Sequence, residues 1–176
     1  MGTGCTGSRF LNGNLTLHET LEVELAKYLK KEKCIVFSTG FLANQGSISC
    51  LVGRKDVIYS DNENHASIIE GTRLALGDTL KYKHNDMEDL EALMARTREK
   101  YEGAIIIADG IFSMSGDILK LKEIYALAQK YQCRVYVDDA HALGVLGPKG
   151  EGTEAHFHSL GHTDIKVDLI MGTFSK

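Results

Sequence analysis

The run Ala104-Ile105-Ile106-Ile107-Ala108 constrains this chain more than any other stretch, because a strand that is apolar at every position must be covered on both faces. A sheet with helices packed on either side provides that cover. Around this run, short β-favouring segments alternate with amphipathic ones. Residues 34–38, 57–60, 79–83, 133–137 and 167–171 read as further strands. Helices are expected from Thr16 or Leu17 to residues 30–33, and over 41–51, 66–76, 87–101 and 119–131. Thr16 and Glu19 have capping-box spacing at the first of these. The fold class expected is α/β, a mostly parallel sheet with helices on both faces, as one domain over residues 1–176. The single proline, Pro148, falls in a glycine-flanked stretch, residues 144–152, expected to be a loop.

Composition narrows the function classes. A chain of 176 residues with 43% hydrophobic content can bury one sizeable core. Its net charge of −4 provides no chain-wide attraction to nucleic acid or to an anionic membrane. Cys5, Cys34, Cys50 and Cys133 are widely spaced and form no C-x-x-C pair, so they read as reduced packing residues of a cytoplasmic protein. No apolar run approaches the length of a membrane span, and the N-terminal residues lack the pattern of a signal peptide. The abrupt ends are expected of a fragment of a larger protein.

Ligands of open α/β sheets gather outside the carboxyl ends of the strands, which directs attention to residues 38–41, 61–65, 109–115, 138–141 and 172–176. Lys176 ends Gly172-Thr173-Phe174-Ser175-Lys176, and an amine at a strand end is a candidate Schiff-base nucleophile; a solvated surface lysine is the other reading. Asp138-Asp139-Ala140-His141 places a carboxylate and an imidazole together after a strand. A buried carboxylate there can keep a pyridine nitrogen protonated, while a metal site or a helix cap is the alternative. Strand alternation allows only one of the two aspartates this role. The N–H groups of Gly40 and Phe41 open a helix and can receive a phosphate, although Thr39 also suits a plain N-cap. His65, at the start of another helix, can stack on an aromatic cofactor or simply cap.

Two further patterns carry less. Gly2-Thr3-Gly4-Cys5-Thr6-Gly7 matches G-x-G-x-x-G, but no strand precedes it, as a dinucleotide fingerprint requires. His156, His158 and His162, with Glu154, lie in a polar, glycine-containing stretch without an evident rigid element, so no metal is assigned to them.

Six segments together resemble the α-oxoamine synthase family of fold type I pyridoxal-5′-phosphate (PLP) enzymes: residues 4–13 (GCTGSRFLNG), 38–44 (STGFLAN), 64–71 (NHASIIEG), 110–117 (GIFSMSGD), 138–144 (DDAHALG) and 172–176 (GTFSK). The resemblance implies the PLP-binding large domain of such an enzyme. It makes Lys176 the cofactor lysine, pairs Asp138 with the pyridine nitrogen and His141 with the ring hydroxyl, and stacks His65 on the ring. It also puts Ser113 near the ring hydroxyl side and gives the phosphate to Thr173 and to the backbone of Gly40 and Phe41.

The activity implied is a decarboxylating condensation of an amino acid with an acyl-CoA. GTFSK and GCTGSRFLNGN resemble the branch that joins L-serine to palmitoyl-CoA in sphingolipid synthesis; the branches making 2-amino-3-ketobutyrate or 8-amino-7-oxononanoate are the alternatives. A non-catalytic subunit of such an enzyme and a metal-dependent hydrolase on Asp138, His141 and the later histidines are alternatives of other classes. The resemblance further implies a homodimer, a C-terminal small domain and a substrate-carboxylate arginine, the latter two beyond these residues.

Overall fold

The computed structural model describes residues 4–176; Met1, Gly2 and Thr3, where the G-x-G-x-x-G match begins, lie outside the described residues. The chain divides into two compact units, Met1–Phe37 and Ser38–Lys176.

In the first unit, helix α1 (Thr16–Tyr28) is capped by Leu15 rather than Thr16. His18, not Glu19, reaches back, its Nδ1 accepting the Leu15 N–H at 3.0 Å. The strand expected around residues 34–38 does not form. The Val36 N–H donates to the Glu22 carboxylate at 2.7 Å, and the Val36 carbonyl accepts from the Arg9 guanidinium at 2.9 Å. Side chains thus satisfy backbone groups that a sheet ladder would otherwise pair. The β-favouring residues there lack a neighbouring strand to express that preference.

The second unit runs α2 (Gly40–Leu51), β1 (Asp56–Asp61), α3 (Ala66–Leu74), β2 (Asp78–Tyr82), α4 (Met87–Thr97), β3 (Gly103–Asp109), α5 (Leu121–Tyr131), β4 (Arg134–Asp138), α6 (Thr153–Ser159) and β5 (Leu169–Met171). All strand pairs are parallel, in the order β2-β1-β3-β4-β5, so chain direction across the sheet reverses between β1 and β3. Such a reversal opens a crevice at the strands' carboxyl ends.

The expected two-sided cover of residues 104–108 is present. Ala104, Ile106 and Ala108 pack with Leu90 and Met94 of α4 and Leu121, Ile124 and Leu127 of α5. Ile105 and Ile107 pack with Ile48 of α2 and Ile68 of α3 on the other face.

Several boundaries differ from expectation. The Leu119 N–H bonds the Gly110 carbonyl at 3.0 Å, so α5 starts two residues later than its apolar pattern. Helix α4 stops at Thr97 and tightens into a short 3₁₀ turn, Arg98–Lys100. His156 and His158 lie on α6, a rigid element that the polar composition of their stretch hid. Of the four free cysteines only Cys133 is a buried packing residue; Cys5 and Cys50 are exposed and Cys34 is half-buried. No helix among the described residues is long and apolar enough to cross a membrane.

Helices α2 and α3 approach closely at Gly71, where an added Cβ would stand 3.0 Å from the Asn44 carbonyl oxygen and 3.0 Å from Ile48 Cδ1. A Gly-to-Ala change on an open helix surface stabilises by about 1 kcal/mol. Gly71→Ala is expected to do the reverse, lowering the unfolding free energy in urea by about 1–3 kcal/mol through overpacking.

Candidate active site

Strand alternation decides which acidic side chains meet. On β3, Ile105 and Ile107 face α2 and α3, so Asp109 at the strand's end faces the same way; on β4, Tyr136 does so, and with it Asp138. Asp109 and Asp138 are register partners on adjacent parallel strands, which sets two buried carboxyls side by side. Asp139 points to the opposite face, where its carboxylate accepts from the Thr153 N–H at 2.9 Å and the Thr153 hydroxyl at 2.5 Å. Burial pushes Asp139 up to about 6 against those two bonds. The alternation expected of the Asp138-Asp139 pair therefore holds, and Asp139 is tied into packing.

Asp138 is 3% exposed. One carboxylate oxygen accepts from the Ala140 N–H at 2.9 Å and the other from the Asn44 amide at 2.7 Å. Burial raises its pKa, while these two bonds and the His65 and Lys176 side chains pull it down. Each carboxylate oxygen can accept a further bond.

Of the two roles its position allowed, His65 takes the cap. It is the N-cap of α3, its ring Nδ1 accepting the Ser67 N–H at 3.2 Å. It also stands close enough to Asp138 and His141 to influence the titration of both. Asp109 fastens it from behind, accepting the His65 N–H at 2.9 Å. Asn64, next to it, reaches from the β1–α3 connection to β3, donating to the Ile107 carbonyl at 2.8 Å and accepting the Asp109 N–H at 3.1 Å.

Lys176 Nζ lies 2.7 Å from His141 Nε2, which brings the chain after β5 to the turn after β4. Burial lowers the His141 pKa, and the neighbouring ammonium lowers it further, so the ring is neutral at pH 7 and accepts the lysine proton. Beside this pair, Thr39 caps α2 by accepting the Leu42 N–H at 3.1 Å. The N–H groups of Gly40 and Phe41 belong to the first turn, whose donors have no intrahelical partner. Thr173 packs directly on Gly40, where a Cβ would approach Thr173 Cγ2 to 2.4 Å. The Thr173 hydroxyl is buried and has no hydrogen-bond partner among the described residues.

Among the eight expected residues, Gly40, Phe41, Thr173, His65, Asp138, His141 and Lys176 fall at the carboxyl end of the sheet or the helix starts beside it, as the sequence rule required. Ser113 is different. It sits in an exposed turn closed by the Ile111–Ile118 bridge, and no hydrogen bond or ion pair ties its side chain to the cluster. That turn is held by His84, whose ring bonds Asp61 at 3.0 Å and Asp117 at 3.2 Å and meets Phe112 edge-on at 4.4 Å.

Asn44, Ser67 and Tyr136 lie outside the strand-end stretches singled out in the sequence, and Asp109, which opens the stretch 109–115, had no role assigned. Asn44 and Ser67 stand inside segments STGFLAN and NHASIIEG, but only folding joins them. Among the described residues, no group of three or more His, Cys, Asp or Glu side chains is arranged to hold a metal; His158 is engaged with the Ile165 carbonyl at 2.8 Å.

The sequence profile of "Aminotransferase class I and II" matches residues 4–176. The chain belongs to that family. It is 59% identical over 175 residues to a serine palmitoyltransferase from Bacteriovorax stolpii, covering 99% of this chain and 41% of that protein. It is 50% identical over 175 residues to an 8-amino-7-oxononanoate synthase from Thermoanaerobacter pseudethanolicus, covering 99% and 43%. Among solved structures it is similar to a serine palmitoyltransferase from S. paucimobilis with a bound PLP–myriocin aldimine (36% identity, TM-score 0.90, 98% of this chain and 43% of that one). The chain spans about two fifths of the length of these relatives.

Asp109 offers a test of the paired carboxyls. Burial, followed by the charge of Asp138, raises it from 3.8 to about 8. Between those values the folded protein retains a proton that the unfolded chain has released, so this group subtracts stability as the pH rises. Asp109→Asn keeps an acceptor for the His65 N–H. It should match the parent near pH 4 and exceed it at pH 8 by about 1–3 kcal/mol, measured by urea unfolding at both pH values.

Proposed function

We propose that this chain is the cofactor-binding large-domain portion of a PLP-dependent acyltransferase, which condenses L-serine with palmitoyl-CoA, releasing carbon dioxide and free CoA, to give 3-ketosphinganine. The observation that carries this reading is the meeting of a lysine amine, a neutral imidazole and a buried carboxyl at one sheet edge, beside a helix start with an unpartnered buried hydroxyl. The names of the relatives supply the reaction, and the bound PLP compound of the S. paucimobilis enzyme supplies the cofactor.

The residues present fit PLP. A phosphate is an acceptor-rich dianion, and the orphaned Thr173 hydroxyl with the Gly40 and Phe41 N–H groups is a donor set without another use. The contact between Gly40 and Thr173 leaves no room for a side chain there, which keeps the helix start open to a close approach. Asp138 has lone pairs left to accept from a pyridinium N–H, and His141 would serve the ring hydroxyl. His65 presents a flat ring for stacking, and Lys176 would hold the cofactor covalently. Ser113 would approach the hydroxyl side only from its exposed turn.

When bound, PLP supplies an electron sink for the carbanion formed at the amino acid's α-carbon. The protein's part is positional and protonic. Asp138, buried among hydrogen-bond donors, stays ionised when a cation is its neighbour. His141 Nε2 accepts from Lys176 Nζ and so orients the amine. Once free, that amine is placed to take and return the substrate's α-proton. The family resemblance further implies a homodimer with its active sites between the subunits, and the widely spaced cysteines without a C-x-x-C pair fit a cytoplasmic protein.

Full-length protein incubated with PLP and reduced with borohydride should carry the cofactor on Lys176 by peptide mapping, and Lys176→Ala should carry none. Thr173→Val separates the phosphate site from the fold: removing an unpaired buried hydroxyl should leave the cofactor-free protein as stable or slightly more so, yet weaken PLP retention about tenfold. The 50% identity to an 8-amino-7-oxononanoate synthase favours a second reading with another amino acid and acyl group. An assay of serine, glycine and alanine against acyl-CoA thioesters of graded length decides between the two; preference for serine with a long chain supports the first.

A further inference from the structure

One buried amide connects the two sides of this site. Asn44 is fully buried on α2, and all its polar atoms are engaged. Its NH₂ donates to Asp138 Oδ2 at 2.7 Å and to Ser67 Oγ at 2.8 Å, and its oxygen accepts from the Tyr136 hydroxyl at 2.8 Å. The amide cannot be reversed, since that would turn its oxygen onto an acceptor-only carboxylate.

The consequence passes to His65. The Ser67 oxygen accepts the Asn44 N–H, which orients the hydroxyl so that it can donate to His65 Nδ1, 2.7 Å away. The Ser67 backbone N–H, which can only donate, points at the same nitrogen. Nδ1 therefore carries no proton, and the neutral ring carries its proton on Nε2.

We propose that Asn44 is a positioning residue that, through Ser67, locks the Asp138 carboxylate and the His65 imidazole into one hydrogen-bonded unit with a single ring tautomer. This rests on the PLP reading for its purpose, since Asp138 and His65 are the groups expected beneath and beside the cofactor ring. The unit itself is a property of the protein chain. The other groups facing Asp138 are Asp109 from β3, His141 from the turn after β4 and Lys176 from the segment after β5.

The test uses full-length protein without cofactor, labelled with ¹⁵N in histidine and ¹³C in aspartate side chains, with His65→Gln and Asp138→Asn assigning the signals. In the parent, His65 should show an unprotonated Nδ1 and a protonated Nε2. Asn44→Leu, similar in size, should move the His65 Nδ1 shift toward that of a free unprotonated nitrogen, because the Ser67 hydroxyl loses its anchor while the Ser67 backbone N–H still holds the tautomer, and should move the Asp138 midpoint upward so that its ionised fraction on the rising limb falls about tenfold. Tyr136→Phe, which removes the third bond and leaves Asn44 its bonds to Asp138 and Ser67, should keep the His65 pattern. A folded Asn44→Leu protein with both signals unchanged overturns the proposal. If Asn44→Leu does not fold, Ser67→Ala decides: it must change the His65 shifts and spare the Asp138 midpoint, and unchanged His65 shifts overturn the proposal. Absence of PLP from Lys176 in the borohydride experiment would defeat the PLP reading alone, since these signals are read without cofactor.

Discussion

The parallel pairing of β3 with β4 is the constraint on which the rest depends. Its register places Asp109 beside Asp138, and its alternation sends both toward α2 and α3 while Asp139 turns away. A shift by one residue would exchange the faces of every side chain on the strand. The apolar residues behind the two aspartates prevent such a slip, because Ile105, Ile107 and Tyr136 are buried on one face and Ile106, Val135 and Val137 on the other. Core packing thus fixes the chemistry at the strand ends.

Two carboxyls buried next to each other are costly unless something answers their charge. Here the answer is distributed: the Asn44 amide and Ala140 N–H serve Asp138, the His65 N–H serves Asp109, and Lys176 provides the positive charge. Asp109 nonetheless remains high, at about 8, and holds its proton at neutral pH. The site thus sets two buried carboxyls and an amine within one strand-end cluster, and a positively charged ring beside Asp138 would redistribute their protons.

Much of this was legible in the sequence because it is local. The all-apolar run at residues 104–108 demanded cover on both faces, and the period-two pattern predicted that Asp138 and Asp139 would part. Strand-end placement directed attention to Lys176, His141 and His65, whereas Gly40 was reached through a strand at residues 34–38 that does not form. What escaped depends on partners distant along the chain. The Asn44–Asp138 bond spans 94 residues and the Asn44–Ser67 bond 23, and no spacing rule reaches that far. Residues 34–38 misled for the same reason: their β propensity is intact, but Arg9 and Glu22 claimed the Val36 backbone. The histidines near residue 156 looked like loop residues because glycines surround α6, and its helical order comes from Gly152 and Thr153 docking on Asp139.

His65 caps α3 through Nδ1 and, in the PLP reading, would turn the face of the same ring to the cofactor. Aspartate, asparagine or serine would begin α3 equally well but offers no aromatic face, and phenylalanine or tyrosine offers the face but lacks the acceptor that caps the helix. Selection therefore cannot tune the two duties separately at this position. In a survey of variants judged only by how much protein accumulates in cells, His65 would pass as an ordinary scaffold residue tolerant of small polar replacements, and its second employment would remain invisible.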